Sequence, residues 1–456
     1  MTTLPARACA LPDSPLAHAA AGLDACVHCG FCLQACPTYV NLQDENDSPR
    51  GRLVLMRRLL EGDVAIDDPD VGTHMDRCLG CRACETACPS GVPYGHLLEA
   101  TRATTAVARG TPLVARIVLT VFANRSLLTV ALFGARIFRA TGLPRLLANI
   151  LPKRLAFPMA MLASTAPKKF VTTRGSAAAS SSVELPRTSR QSTGSAKDTS
   201  AIPARSKERV AVLEGCVMRG LFAHTNAATE RVLEANGFSM CETGSQSCCG
   251  ALHAHAGDLD TARALARKNI AAFEGSDASY IAINSAGCGA MIKEYAHLLR
   301  DDAAWHKRAV DVSAKARDIS ELLVHGGAAS AMHTGASLPL RVTYDAPCHL
   351  MHAQRVTTPP LTVLSSIPGM QLVPLTDADQ CCGSAGIYNL IEPDTSDAVL
   401  APKLARIAES QAAYVATGNP GCLMQIGAGL MLSGSQARAV HPVDLLDASY
   451  AGRAPV

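Results

Sequence analysis

Two cysteine runs near the start of the chain carry its most specific chemistry. Residues 26–37 read Cys-Val-His-Cys-Gly-Phe-Cys-Leu-Gln-Ala-Cys-Pro, and residues 78–89 read Cys-Leu-Gly-Cys-Arg-Ala-Cys-Glu-Thr-Ala-Cys-Pro. Three thiolates two residues apart on a tight loop can reach one metal centre. The fourth follows a longer gap, and the proline then turns the chain away. Zinc also takes four thiolates from paired C-x2-C steps, but seldom from three consecutive steps closed by Cys-Pro, twice over. Iron–sulfur ligation is the stronger reading.

The spacing C-x2-C-x2-C-x3-C-P is that of bacterial two-cluster ferredoxins, in which the fourth cysteine ligates the other cluster. One [4Fe-4S] cluster is then expected on Cys26, Cys29, Cys32 and Cys88, and a second on Cys78, Cys81, Cys84 and Cys36. This crossing would pin two loops together across the 41 residues between Cys36 and Cys78. Gly30 and Gly80 would let backbone N–H groups approach the sulfurs.

A second pattern fills the other half of the chain. Cys216 is followed after 31 residues by Cys248-Cys249-Gly250 and after 38 more by Cys288. Cys348 is followed after 32 by Cys381-Cys382-Gly383 and after 39 by Cys422. Two copies agreeing within one residue at each gap indicate an internal duplication. These eight cysteines are candidate ligands of a further iron–sulfur cluster, with unligated cysteines as the alternative. Cys9 and Cys241 lie outside every pattern. His224, His253, His349 and His352 stand near the repeated cysteines as candidate donors or acceptor contacts, each also readable as a packed core residue.

The elements that must position these groups follow from hydrophobic patterning. Strand-like runs Arg209–Leu213 and Leu340–Tyr344 lead into the first cysteine of each copy, and Tyr280–Ile283 and Ala413–Ala416 lead towards the last. Helix-like segments Leu259–Phe273 and Thr395–Ser410 intervene, with Asp or Asp-Thr as expected N-caps. Such alternation predicts two α/β lobes with cysteines near the carboxyl ends of strands, where open α/β sheets bind ligands. The fold class is therefore α+β: an N-terminal helical two-cluster ferredoxin-like domain (1–100), a basic helical connector (101–165), a flexible linker (166–207) and two duplicated cysteine-rich lobes (208–335 and 336–456). The linker is expected from nine serines and five threonines among few large apolar residues.

Composition narrows the function. The 456 residues include 18 cysteines, 48% hydrophobic residues and only 4% aromatics, with a formal net charge of +3. Neither bulk charge nor aromatic content suits a nucleic-acid binder, so no nucleic-acid partner is expected. Between Glu99 and Glu184 there is no acidic residue but twelve Lys or Arg. Apolar runs there, such as Leu127–Ala135, are too short to span a bilayer. They suit an anionic membrane surface or an acidic partner subunit, with a solvated face as the alternative. The first 26 residues lack the pattern of a secretory signal, so a reducing, cytoplasmic location is expected. No G-x-G-x-x-G follows a strand and no Walker motif is present, so neither flavin nor NAD is expected on this chain.

The motifs together carry a resemblance. Both cysteine runs, Ser48-Pro-Arg-Gly-Arg52, Asp345-Ala-Pro-Cys-His-Leu350, Cys381-Cys-Gly-Ser-Ala-Gly386, Asn419-Pro-Gly-Cys422 and His441-Pro-Val-Asp-Leu-Leu446 resemble the iron–sulfur subunits of three-subunit glycolate oxidases. That resemblance covers nearly the whole chain except the linker. It implies a subunit that oxidises no substrate itself. FAD-binding partner subunits would convert glycolate to glyoxylate, and this chain would relay electrons towards a quinone or other acceptor. It would act peripherally at the cytoplasmic face of the inner membrane. The equivalent subunit of a lactate or glycerol-3-phosphate dehydrogenase is an alternative. The lobes also resemble the cysteine-rich (CCG) domains of heterodisulfide reductase, which would make them catalytic. Those domains close on C-x2-C, whereas Ser285 and Asn419 stand in place of the first cysteine here, leaving a conventional cluster or none as alternatives.

Overall fold

The computed structural model describes residues 9–167, 170–172, 208–325 and 337–455. The N-terminal region is helical, as its short apolar stripes require. Helices Pro49–Glu61, Pro69–Asp76 and Tyr94–Arg109 surround the two cysteine loops. Ser48 caps the first, its hydroxyl accepting from Gly51 N, and Pro49 occupies the first turn, where its missing N–H costs nothing. Met56, Leu59, Met75, Leu97 and Leu98 close the core beneath the loops. The helix Tyr94–Arg109 runs straight through residue 100, the expected domain boundary.

The acid-free stretch is helical as well: Leu113–Ala123, Arg125–Ala140, Leu143–Ile150 and Lys153–Ser164. No single helix among the described residues is long and apolar enough to cross a membrane. Of the segment expected to be a linker, Phe170–Thr172 instead form a strand, β1, paired antiparallel with the last strand, β10 (Arg453–Pro455). Residues 173–207 lie outside the described residues.

Each repeat folds as a four-stranded parallel sheet. The first has the order β3-β2-β4-β5 (Ser239–Met240, Arg209–Val212, Tyr280–Ile283, Ala316–Asp318), and the second β7-β6-β8-β9 (Gln371–Val373, Arg341–Tyr344, Tyr414–Ala416, Arg438–Val440). The expected strands are therefore present. Both sheets place their central strands next to each other, Val210 beside Tyr280 and Val342 beside Tyr414. The expected N-cap Asp258 accepts from Thr261 N at the helix Leu259–Glu274. The corresponding helix of the second lobe begins earlier than expected, at Pro393, because proline is preorganised for a first turn, and Asp394 and Thr395 lie inside it.

The lobes are exchanged at their edges. The last helix, Pro442–Tyr450, packs on Ala223–Ala235 of the first lobe, and Ile319–His325 packs reciprocally on Pro359–Ser365 of the second. Arg231 pairs with Asp447 at 2.8 Å, and Thr225 Oγ1 donates to Asp444 at 3.0 Å. Val210, Val232, Leu322, Val342, Leu364 and Leu445 form one apolar core across both lobes.

The N-terminal domain docks on this pair through polar groups from every partner. Arg82 bonds Glu85 at 2.9 Å and also Glu294 of the first lobe. His96 stacks on His297 at 3.6 Å and lies 3.5 Å from the Glu294 carboxylate. Burial alone would raise the Glu294 pKa, but His96 and Arg82 outweigh it and bring it from 4.5 to about 2. Burial, with His96 and Arg300 adding to it, lowers His297 from 6.5 to about 4. Both groups have folded values below their unfolded ones, so their stabilisation is present at neutral pH and lost on acidification. His297 contributes its loss from about pH 6.5 downward, before Glu294 titrates. The thermal midpoint of the anaerobic protein, followed by circular dichroism, should therefore fall between pH 6.5 and 5, and His297→Phe should flatten that fall. An unchanged slope in the variant would remove His297 from the account.

Candidate metal centres

The two N-terminal loops share one backbone conformation. His28 and Gly80, each just before the second cysteine, have φ of 55° and 61°. Gly30 and Arg82, each just after it, have 84° and 64°. A left-handed residue stands on either side of the second cysteine in both loops, and it persists at His28 and Arg82 although a Cβ disfavours it. Cys36 and Cys88 are both extended (ψ 112° in each) before their prolines.

The eight cysteines line two hollows, or cages, between the loops. Cys26, Cys29, Cys32 and Cys88 line one hollow. Cys36, Cys78, Cys81 and Cys84 line another. Cys84 also reaches the edge of the first. The first cage opens to solvent at Cys29, whereas all four cysteines of the second are buried. Burial raises Cys32 from 9.0 to about 11 and pushes Cys81 and Cys84 well above the ordinary thiol value. Thiols in such a setting are proton-bound unless a cation supplies the compensating charge. Soft sulfur donors, four to a cage with no oxygen ligand among them, fit iron–sulfur clusters.

One buried ion-pair hub holds the loops together, and sequence reasoning did not single it out. Arg52 is fully buried; its Nη2 donates to Asp47 Oδ1 (3.2 Å), its Nη1 to Thr38 Oγ1 (3.2 Å) and its Nε to the His74 carbonyl (2.6 Å). Asp47 also accepts from Arg77 at 3.0 Å and contacts His74 Nδ1 at 3.0 Å. Thr38 in turn lies 3.2 Å from Cys36 Sγ. The hub thus links the Cys36 loop to the segment that leads into Cys78. Burial works against the Arg52 charge, but Cys78, Tyr94, Cys36 and Asp47 outweigh it and hold the guanidinium protonated. The Tyr94 hydroxyl lies 3.5 Å from Cys78 Sγ. The signal was present in Ser48-Pro-Arg-Gly-Arg52: Gly51 is required because a Cβ there would overlap the Glu45 carbonyl.

The lobe cysteines converge more than the sequence could show. All eight line one cavity of about 580 Å³ between the lobes, and Cys78 reaches it from the N-terminal domain. Gly250 and Gly383 sit at φ of 93° and 86°, so each Cys-Cys pair turns with both sulfurs inward. Hydrogen bonds from Cys216 and Cys249 hold Cys248 well below the usual thiol value, and Cys348 and Cys382 do the same for Cys381. Asn419, in place of a fifth cysteine, donates from Nδ2 to Cys422 Sγ at 3.5 Å and accepts from Gly287 N at 3.2 Å. Ser285 hydrogen-bonds Cys288. The departures from five cysteines thus supply donors to sulfur rather than ligands.

Of the candidate histidines, only His349 lines this cavity, joined by His255. His349 Nε2 has no partner, and burial pushes its pKa down to about 3, so the ring is neutral. His253 bonds the Leu119 carbonyl, His352 bonds Thr86, and His224 faces Asp444. Cys9 and Cys241 lie outside both cages and the cavity. The N-terminal domain meets the second lobe where Leu79, Cys81 and Ala83 pack with Cys381, Tyr388 and Val399.

Comparisons with known proteins agree with this arrangement. The 4Fe-4S dicluster domain family matches residues 22–92, and the cysteine-rich (CCG) domain family matches residues 210–293 and 342–427. The chain is 37% identical to the probable glycolate oxidase iron-sulfur subunit of Bacillus subtilis (strain 168), covering 92% of each chain. It is 35% identical to the glycolate oxidase iron-sulfur subunit of Escherichia coli (strain K12), covering 88% of each. Lactate utilization protein A of Geobacillus thermodenitrificans is 31% identical over 52% of this chain and 98% of its own.

The hub yields a direct test. Arg52→Met leaves Asp47 with only Arg77 and His74 as partners, which should cost less than the penalty of about 3–5 kcal/mol for a fully broken buried pair. Urea titration should show the lower midpoint, and absorbance of the anaerobic protein should show earlier loss of the Cys36 cage than of the Cys29 cage.

Proposed function

Because the chain belongs to the family of glycolate oxidase iron-sulfur subunits, we propose that it is the electron-relay subunit of a glycolate-oxidising complex. FAD-binding partner subunits carry out the oxidation of glycolate to glyoxylate. This chain passes the electrons towards a quinone or another membrane-side acceptor and is held peripherally at the cytoplasmic face of the inner membrane. The observation that carries the reading is the row of thiol sites, from the open Cys29 loop through the buried Cys81 cage to the cavity at Cys381. The full-length relatives favour glycolate over lactate as the substrate of the complex, since the lactate utilization relative matches only about half of this chain.

Two [4Fe-4S] clusters are assigned to Cys26, Cys29, Cys32 and Cys88, and to Cys78, Cys81, Cys84 and Cys36. When bound, they supply one-electron transfer at potentials set by burial and by hydrogen bonds to sulfur. The chain's own residues do the rest. Arg50 reaches the His28 carbonyl at 3.4 Å and steadies the outer loop. Val27 and Phe31, each 68% exposed, offer an apolar landing site beside that loop for the flavoprotein. Tyr94 and Thr38 sit against cysteines of the inner cage. A further cluster is assigned to the lobe cysteines Cys216, Cys248, Cys249, Cys288, Cys348, Cys381, Cys382 and Cys422. Its support is their convergence on one cavity and the donors Asn419 and Ser285.

Cys29→Ser and Cys81→Ser should each remove one N-terminal cluster and abolish glycolate-dependent dye reduction by the complex, while glycolate still reduces the flavin. Normal electron delivery to the dye in both variants would end the relay reading.

Iron and sulfide analysis of the anaerobic wild-type chain should give more than about eight irons, the number two cubanes account for. Cys248→Ser/Cys381→Ser should lower the count to about eight with the N-terminal EPR signals retained. A wild-type count of about eight would leave the lobes without iron.

A further inference from the structure

The described residues expose large apolar side chains very unevenly. More than half of them fall between Val107 and Leu155, in the helical stretch that has no acidic residue. The pattern repeats helix by helix. Leu113–Ala123 buries Ala115 and Leu119 and turns out Leu113, Val114 and Ile117. Arg125–Ala140 buries Leu128 and turns out Leu127, Val130, Phe133 and Ile137; Leu143–Ile150 buries Pro144 and Ala148 and turns out Leu143, Leu146 and Ile150. These outward residues are 46–72% exposed and recur at helical spacing, so each helix is apolar on both sides, one facing the protein and one left bare among the described residues.

Charge says what covers them. Arg116, Arg136 and Arg145 each precede an outward apolar residue, Ile117, Ile137 and Leu146. All three are exposed, and none forms an ion pair within the described residues. Their aliphatic stems can lie along the apolar stripe while the guanidinium groups reach upward to anions. No single described helix is long and apolar enough to cross a bilayer. Tyr94–Arg109 with Leu113–Ala123, and Arg125–Ala140 with Leu143–Ile150, have the combined apolar length of a span but bend by 118° and 77°.

We propose that the helices Leu113–Ala123, Arg125–Ala140 and Leu143–Ile150 form a monotopic docking face that seats in an anionic phospholipid surface. Arg116, Arg136 and Arg145 meet lipid phosphates, and the aliphatic stripes enter the acyl boundary. A lipid surface suits this face better than a protein partner, since its outward residues are, apart from Phe133, wholly aliphatic Leu, Ile and Val flanked by unpaired arginines with no acidic residue in the stretch. The inference rests on the reading above in supplying the membrane side of the relay, and it names the surface. It also has a consequence for the acceptor. The inner side of the helix Leu113–Ala123 lines the central cavity with Ala115, Val118 and Phe122, and that cavity reaches the exposed Gly110–Pro112 turn. Docking brings this turn to lipid level, where a bilayer-soluble carrier is concentrated.

Flotation of the full-length anaerobic protein with vesicles tests the face separately from electron transfer. The probes are phosphatidylcholine vesicles with and without phosphatidylglycerol. Wild-type protein should float with the anionic vesicles and at least about tenfold less with the neutral ones. Arg116→Gln/Arg136→Gln/Arg145→Gln should lose that preference. Ile117→Glu/Val130→Glu/Phe133→Glu/Leu146→Glu should stay unbound with both, and unchanged visible absorption and circular dichroism would show that the exposed substitutions leave the fold intact. Cys29→Ser, which interrupts the relay, should float like wild type, so a failed relay and a failed face give different results. Wild-type protein that ignores anionic vesicles, or glutamate variants that float normally, would overturn the proposal. So would variants that keep vesicle binding but no longer join the flavoprotein.

Discussion

The N-terminal domain depends on keeping Cys36 among the cysteines of a loop that begins 41 residues later. Closing that distance costs chain entropy, and ligands alone would leave the intervening segment free to wander. Arg52 and Asp47 lie within it and are both fully excluded from water. A buried ion pair is weak evidence for net stability, because desolvation consumes much of its Coulomb energy. Its directional bonds are another matter. Arg52 reaches Thr38 beside Cys36 and the His74 carbonyl in the helix before Cys78, so only one mutual placement of the loops satisfies every bond. The hub thus ties Cys36 to the segment that leads into Cys78.

Duplication gave the two lobes the same frame, but not the same surroundings. In the first, the cysteine pair is held by neutral groups: Asn269 donates to the Cys248 carbonyl at 3.0 Å and Tyr295 to the Cys249 carbonyl at 2.8 Å. In the second, Lys403 is buried with Asp345 at 2.9 Å and donates to the Asp377 and Ala378 carbonyls. The ammonium lies close enough to feel Cys382 and Cys381. The cysteine pair thus faces a buried Lys–Asp ion pair in one lobe and neutral hydrogen-bonding groups in the other. The two sites are chemically inequivalent despite their matching spacing.

Much of this was legible from residues alone. Cysteine spacing marked both loops and the duplication, and β-branched runs located strands β2, β4, β6 and β8. Short-range patterns carry such information because ligand reach and strand period are local. What was not legible is long-range. Arg52 reads as one more arginine on an amphipathic helix until Asp47 and His74 are brought around it. Asn419 reads as a lost ligand until the lobes meet and its amide bridges Gly287 and Cys422. The antiparallel pairing of Phe170–Thr172 with Arg453–Pro455 joins segments almost 300 residues apart, which no local periodicity encodes. The apolar stripes of the connector were visible as composition, but which side of each helix is left bare depends on what the lobes cover.

Buried charge is arranged differently around the outer and the inner cysteine loops. Negative charge held at the enclosed Cys81 cage would lie where the dielectric is low, which is unfavourable unless cations are already in place. They are. Arg52 lies against Cys36 and Cys78, Arg82 occupies the seam between the inner loop and Glu294, and Lys403 stands behind Cys381 and Cys382. Each is paired with a carboxylate, so what it presents to the neighbouring sulfurs is the cationic end of a fixed ion pair rather than a free charge. At the outer cage the neighbouring cation is Arg50, which is half-exposed and tied to Glu45 at 2.8 Å. Solvent screens the charge at the surface, and fixed cations take over that task inside. The polar seam that docks the N-terminal domain on the lobes therefore also places charged groups beside the inner cysteine loop.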